Sequence, residues 1–165
     1  MRIIGIDPGY AIVGFGVIEY EKSRFSTISY GAVTTPAGIK FERRLEIIYA
    51  DICQIPDSYK PQSLAIEKLY FQNNQKTAID VAEARGVVLL AAAQRHIEIF
   101  EYTPLQVKQS ITGYGQAVKK QVQEMTKRVL GLPQIPKPDD TADALAIAVC
   151  HAHVSSSALS AYKNS

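Results

Sequence analysis

The chain opens on a short apolar run, Ile3, Ile4 and Ile6, that stops at Asp7, Pro8 and Gly9. A run this short suits a strand buried on both faces. A carboxylate at its end is costly to bury unless something compensates the charge. Pro8 stops the strand ladder, and Gly9 lets the chain turn sharply. Asp before Pro-Gly also begins ordinary turns, so Asp7 alone fixes no function. The pattern returns at Leu64, Ala65 and Ile66, which end in Glu67. If the two strands are parallel neighbours, both carboxylates lie at one edge of a sheet. That edge is where open α/β sheets place their sites.

Residues 11–20 and 24–34 read as two further strands on short connections, hence an antiparallel meander. Val13, Phe15 and Val17 alternate with Gly14, Gly16 and Ile18. A helix is expected over 39–55, with Leu45, Ile48 and Ile52 on one face and a loop over 56–61. Residues 75–96 read as the longest helix. Ala78, Ala82, Gly86 and Leu90 form a row of mostly small residues along it, which suits either burial within the subunit or a self-complementary dimer contact. Residues 98–102 read as a fifth strand. Thr103 caps a short helix with Pro104 at its first position.

Composition narrows the class. The 165 residues are 47% hydrophobic and 21% charged, which describes a globular chain with a sizeable core. One domain is expected over 1–154, followed by a flexible, Ser-rich tail over 155–165. The net charge of +2 does not by itself announce nucleic acid, so a basic surface has to come from local clustering. Cys53 and Cys150 are far apart, without metal-ligand spacing, as expected of reduced thiols in a cytoplasmic protein. No apolar stretch is long enough to span a bilayer, and the N-terminus has no signal-peptide pattern.

Two segments point to a phosphate-bearing partner. The first is polar and aromatic, residues 68–74, in which core packing takes one of Tyr70 and Phe71 and leaves the other free to stack. The second is the loop from Thr112 to Gly115, whose glycines Gly113 and Gly115 allow close backbone approach. Lys108 and Lys119 flank that loop. A helix is expected over 116–130, with Val118, Val122, Met125 and Val129 inward and Lys119, Lys120, Lys127 and Arg128 off that face. A solvated basic face is the default meaning of such a run, and the flanked loop adds a phosphate contact.

After three prolines, Pro133, Pro136 and Pro138, comes a last helix that begins with Asp139 and Asp140. Capping and dipole complementarity account for those two acids. They do not account for Asp143, which leads a face that otherwise reads as core. Asp140 and Asp143 share one side, where like charges repel unless a cation sits between them. Asp7, Glu67, Asp140 and Asp143 therefore make an all-oxygen set suited to Mg²⁺ or Mn²⁺ and not to zinc. His151 and His153 lie further along the helix and are expected to face its C-terminal end or solvent. Two divalent ions about 4 Å apart activate a water and stabilise the leaving oxygen of a phosphodiester. The residues read as a metal-dependent nuclease.

The segments GIDPGYAIVGFGVI, AIEKLYF, AEARGVVLLAAA, FEYTPLQVKQSITGYGQA and DDTADALAIAVCHAH together resemble the RuvC family of Holliday-junction resolvases. The resemblance spans nearly the whole chain. It implies an α/β, ribonuclease-H-like fold with a five-stranded mixed sheet flanked by helices. It implies a homodimer that nicks two strands of like polarity at a four-way DNA junction, leaving 5′-phosphate and 3′-hydroxyl ends. The family acids fall on Asp7, Glu67, Asp140 and Asp143, which implies two ions per site with Asp7 shared between them. Its basic residues fall on Lys108 and Lys119, with Lys119 balancing charge at the scissile phosphate. Its junction-inserting aromatic, usually Phe, falls on Tyr70. The RuvA–RuvB branch-migration motor is the partner so implied. An actin-like ATPase, a nuclease acting on RNA–DNA hybrids and a non-catalytic junction binder are the rival readings. The ATPase requires a second, duplicated domain, and the non-catalytic binder is expected to have lost an acid.

Overall fold

The computed structural model describes residues 1–70 and 75–163. Five strands, β1 (Arg2–Asp7), β2 (Ile12–Glu21), β3 (Arg24–Thr34), β4 (Ser63–Glu67) and β5 (Glu98–Tyr102), form one mixed sheet in the order β3-β2-β1-β4-β5. The first three strands pair antiparallel, and β1-β4 and β4-β5 pair parallel. Helices α1 (Phe41–Tyr59) and α2 (Gln75–Ala93) cover one face. Helices α3 (Pro104–Thr112), α4 (Lys119–Val129) and α5 (Asp139–Lys163) cover the other.

Side chains alternate across a strand, so each residue's face follows from parity. In β1, Ile4 and Ile6 join the core beneath α1 and α2, while Ile3 packs in the core beneath α5. Gly5 and Asp7 share the face of Ile3. In β4, Leu64 and Ile66 face α1 and α2, whereas Ala65 faces α5. Glu67 shares the face of Ala65. Both terminal carboxylates thus turn toward α5.

What lets α5 reach them is the absence of side chains. A Cβ on Gly5 would stand 2.0 Å from the Ala144 carbonyl oxygen, and one on Gly16 would stand 2.5 Å from Leu145 Cδ2. Helix α5 answers with Ala142, Ala144, Ala146 and Ala148, all at most 1% exposed. Glycine opposite alanine brings the helix axis closer to the sheet than branched residues permit.

Several boundaries differ from expectation. Helix α1 continues through Pro56 to Tyr59, because buried Ile55 and Pro56 hold the last turn on the core and Lys60 ends it in the left-handed region. Helix α2 stops at Ala93, where His96 takes a positive φ of 54° and the Ile97 N–H turns back to the Ala92 carbonyl. Helix α4 begins only at Lys119, and Val118 is 61% exposed rather than inward. The longest helix is α5, with 25 residues, not α2. It runs past residue 154 to Lys163, across the segment expected to be a tail. Ser156 and Ser157 there donate to the His153 carbonyl at 2.9 and 3.0 Å, inside the helix.

Candidate active site

Strand register places the first two acids side by side. Ile6 pairs with Ile66 in the parallel β1-β4 ladder, and Asp7 and Glu67 are the next residues on each strand. Asp7 also stands opposite Gly14 on β2. A Cβ on Gly14 would lie 2.0 Å from the Asp140 carbonyl oxygen, so the first turn of α5 rests on the strand that pairs with Asp7. Asp140 and Asp143, one turn apart, are delivered to the same edge. The four acids named from the sequence come together from β1, β4 and α5.

Their electrostatics show how closely they crowd. Burial pushes the Asp7 carboxyl up to about 8, and the charges of Asp143, Glu67 and Asp140 add to the push, against Lys119. Burial raises Glu67 as well, with Asp143 assisting and Lys108 and Lys119 opposing. Asp143 is raised by burial and held back by its bond to Lys119. Lys119 Nζ lies 2.9 Å from Asp143 Oδ2 and 3.8 Å from Asp139 Oδ2, and the Asp143 bond raises its pKa. Asp7, Glu67 and Asp143 are therefore short of positive charge, and Lys119 on α4 supplies part of it.

The donor set fits a hard divalent cation: four carboxylates, with a central acid that a cation would relieve of its proton. Among the described residues, no three His, Cys, Asp or Glu side chains already converge as a cage around one point. Beside the acids a cavity of about 270 Å³ opens, lined by Glu67, Lys108, Lys119 and Asp143 over a floor that includes Val107, Val122 and Ile147.

Other predicted residues fall around this cavity or outside it. Lys108 lies close enough to Glu67 to oppose its protonation. Gly113 ends α3 with φ of 73°, its N–H bonded to Gln109 O at 2.8 Å. Gly115 packs on Leu105, whose Cδ1 would meet an added Cβ at 2.5 Å. Both glycines thus have local structural duties, and neither lines the cavity beside the acids. Lys120 is exposed next to Lys119 on α4, and Tyr70 is 61% exposed three residues beyond Glu67. Phe71 lies outside the described residues.

His151 departs from expectation. It is 1% exposed, stacks on Phe100 with ring centroids 4.2 Å apart, and shares a 2.7 Å hydrogen bond between Nδ1 and the Tyr102 hydroxyl. Burial pushes its pKa down to about 4. The helix continues to Lys163, so His151 is a mid-helix core residue and not a terminal one. His153 is half-buried, edge-on to Phe25 and 3.1 Å from Ser110 Oγ.

Three residues near the site escaped sequence reasoning. Gln123 is 8% exposed on α4, one turn after Lys119, and after Lys137 and Lys119 its amide helps hold the Asp139 carboxyl below the usual range. Arg85 on α2 reaches the main chain of Glu67. Gly14, one of the alternating residues of β2 in the sequence, is the seat of α5. A charged residue between small ones (AEARG) and a Gln on an otherwise apolar face were the available signals, but each partner lies on another element.

Comparison with known proteins agrees with this geometry. A family profile described as "Crossover junction endodeoxyribonuclease RuvC" matches residues 3–151. A protein of that name from Clostridioides difficile (strain 630) is 56% identical over 153 residues, 93% of this chain and 90% of the relative. The Thermus thermophilus RuvC structure superposes with a TM-score of 0.89 at 33% identity, covering 96% of this chain and 97% of that one. A structure of T. thermophilus RuvC in complex with Holliday junction substrate superposes with a TM-score of 0.87 at 31% identity, covering 94% and 96%. The fold is of the ribonuclease-H-like kind.

Proposed function

The chain belongs to the RuvC family of crossover junction endodeoxyribonucleases, and from that premise we propose that it resolves four-way DNA junctions by paired nicking of two strands of like polarity, leaving 5′-phosphate and 3′-hydroxyl ends. The observation that carries the reading is the meeting of Asp7, Glu67, Asp140 and Asp143 at one sheet edge, beside Lys108 and Lys119. The domain so assigned is 1–154, with the remainder of α5 as a C-terminal extension.

The family is one of metal-dependent nucleases. Asp7, Glu67, Asp140 and Asp143 would hold two Mg²⁺, with Mn²⁺ able to substitute, and Asp7, crowded by the other three acids, would serve both. Bound there, the ions supply a polarised water and neutralise charge at the scissile phosphate. The protein's own part is positional. Strand ends hold Asp7 and Glu67 on a rigid sheet, α5 holds the other two acids, and the buried surroundings strengthen each charge interaction. Lys119 balances the acids in the free protein and can turn to the phosphate when DNA enters. Lys108, Lys120 and the backbone around Gly113 and Gly115 would grip the strand, and Tyr70 or Phe71 would stack on an opened base at the junction.

Exposed apolar side chains on α2, Ile79 at 62% and Leu90 at 52%, support a homodimer through that helix, beside an open Gly86. Among the described residues no helix is long and apolar enough to cross a membrane. A cytoplasmic enzyme working with the RuvA–RuvB motor is the setting proposed by family.

A cleavage assay on a synthetic four-way junction and on the matching plain duplex, with and without Mg²⁺, tests the reading. Paired nicks on the junction only, and only with Mg²⁺, are expected. Equal cutting of plain duplex overturns it.

A further inference from the structure

Glu67 is the last residue of β4, and the ladder to β1 ends one pair earlier, at Ile6 and Ile66. On the other side the β4–β5 ladder continues to Glu67 and Tyr102, and beyond it two further bonds hold the departing chain. The Lys68 N–H donates to Tyr102 O at 2.8 Å. Arg85 Nε donates to the Glu67 carbonyl oxygen at 3.2 Å. The other end of the guanidinium, Nη2, lies 2.7 Å from Glu101 Oε2 on β5. Arg85 is itself largely enclosed, its side chain 13% exposed, between buried Ala84 and Val88.

Parity gives this contact its meaning. Glu101 shares the face of Ile99, which packs with α1 and α2. Arg85 therefore approaches from the face opposite α5, whereas the Glu67 carboxylate turns toward α5. The guanidinium touches the strand end and not the acids, so it acts on the carboxylate only by fixing the peptide that carries it. A planar fork anchored at two points resists rotation of that peptide better than a single flexible donor.

We propose that Arg85 is a positioning residue for Glu67: it clamps the strand end between α2 and β5 so that the carboxylate is preset for its cation. The inference rests on the reading of Glu67 as a metal-holding acid. It assigns Arg85 no contact with substrate or with the reacting atoms.

The test uses Mn²⁺ binding to the DNA-free protein by calorimetry, together with single-turnover junction cleavage and junction affinity without divalent ions. Arg85→Gln is expected to weaken Mn²⁺ binding about 10-fold, a typical effect of losing a group that orients a metal ligand. Cleavage should fall by a similar factor while junction affinity stays within about twofold. Arg85→Lys keeps the charge beside Glu101 but not the fork, and is expected to rescue little. If Arg85→Gln does not fold, Arg85→Lys carries the test. Full rescue by Arg85→Lys overturns the clamp in favour of simple charge balance. Wild-type Mn²⁺ binding by Arg85→Gln, with weakened binding by Glu67→Gln, overturns the inference alone. Wild-type Mn²⁺ binding by Glu67→Gln overturns the underlying reading of the acid as well.

Discussion

Gly14 of β2 and Asp140 of α5 meet backbone to backbone: a Cβ on Gly14 would stand 2.0 Å from the Asp140 carbonyl oxygen. The position that lacks a side chain is also the ladder partner of Asp7. Gly14→Ala must therefore push the first turn of α5 away from the acid it serves. Overpacking of this kind costs about 1–3 kcal/mol. For a chain of this size that is a fall in Tm of about 2–4 °C per kcal/mol. Cleavage should drop by about 100-fold, since a displacement near 1 Å at a reacting centre has that effect. Thermal melts and single-turnover nicking measure both, and wild-type cleavage by Gly14→Ala would contradict the docking role.

Asp7→Asn separates chemistry from binding. Junction cleavage should be lost, by about 10³-fold or more, while junction affinity is retained, because affinity rests on lysines and shape. The same change should raise the Tm of the metal-free protein at pH 8. Joint loss of cleavage, binding and stability would mean that Asp7 is only structural.

The pH dependence has a definite sign. The Asp7 carboxyl is raised to about 8 in the folded protein, well above its value in an unfolded chain. Between about pH 4 and 8 the native state thus binds the extra proton, and stability from this group falls as pH rises through that window. A divalent ion must displace the proton. Mn²⁺ affinity should fall as pH drops below about 8, by up to 10-fold per unit, with close to one proton released per binding event. Calorimetry in buffers of different ionisation enthalpy counts that proton.

Lys119 makes opposite predictions for binding and for cleavage. It sits 2.9 Å from Asp143 and competes with any cation for the cluster. Lys119→Met should tighten Mn²⁺ binding to the free protein by several-fold and yet lower junction cleavage by about 10²-fold, as the phosphate loses its counter-charge. Weaker Mn²⁺ binding in this variant would remove the charge-balancing role.

His151 tests the core. Among the described residues Tyr102→Phe leaves its buried ring nitrogen with Ser155 Oγ, 3.4 Å away, and should cost about 1–3 kcal/mol. The His151 pKa, pushed down to about 4, lies below its value in an unfolded chain, about 6.5. Its contribution is present above pH 6.5 and is lost as pH falls toward 4. A His151→Asn chain should show a shallower loss of Tm across that interval than the wild type.

Much of this protein is legible in its sequence. The apolar runs ending at Asp7 and Glu67 marked two strands, and Glu67 is the last residue of β4. Thr103 capped its helix with the side chain, as its place before Pro104 required. The acid set could be assembled because carboxylates at core edges stand out against an apolar background. His151 was misplaced for a physical reason: composition suggested a fraying Ser-rich end, whereas α5 continues through the serines, and the Ser156 and Ser157 hydroxyls are satisfied on the His153 carbonyl.

By itself the sequence singled out Asp7, Glu67, Asp140 and Asp143 as the candidate residues, because a buried charge is expensive wherever it falls and so is rarely accidental. It also determined that β1 and β4 end in carboxylates on rigid elements. Only the tertiary structure decided that these turn to one face and meet Asp140 and Asp143. That meeting depends on strand parity, on the register that sets Asp7 opposite Gly14, and on glycines that let a helix lie against a sheet. Arg85, Gln123 and Tyr102 became visible only there, because a hydrogen bond is a relation between two groups and a sequence records each of them alone.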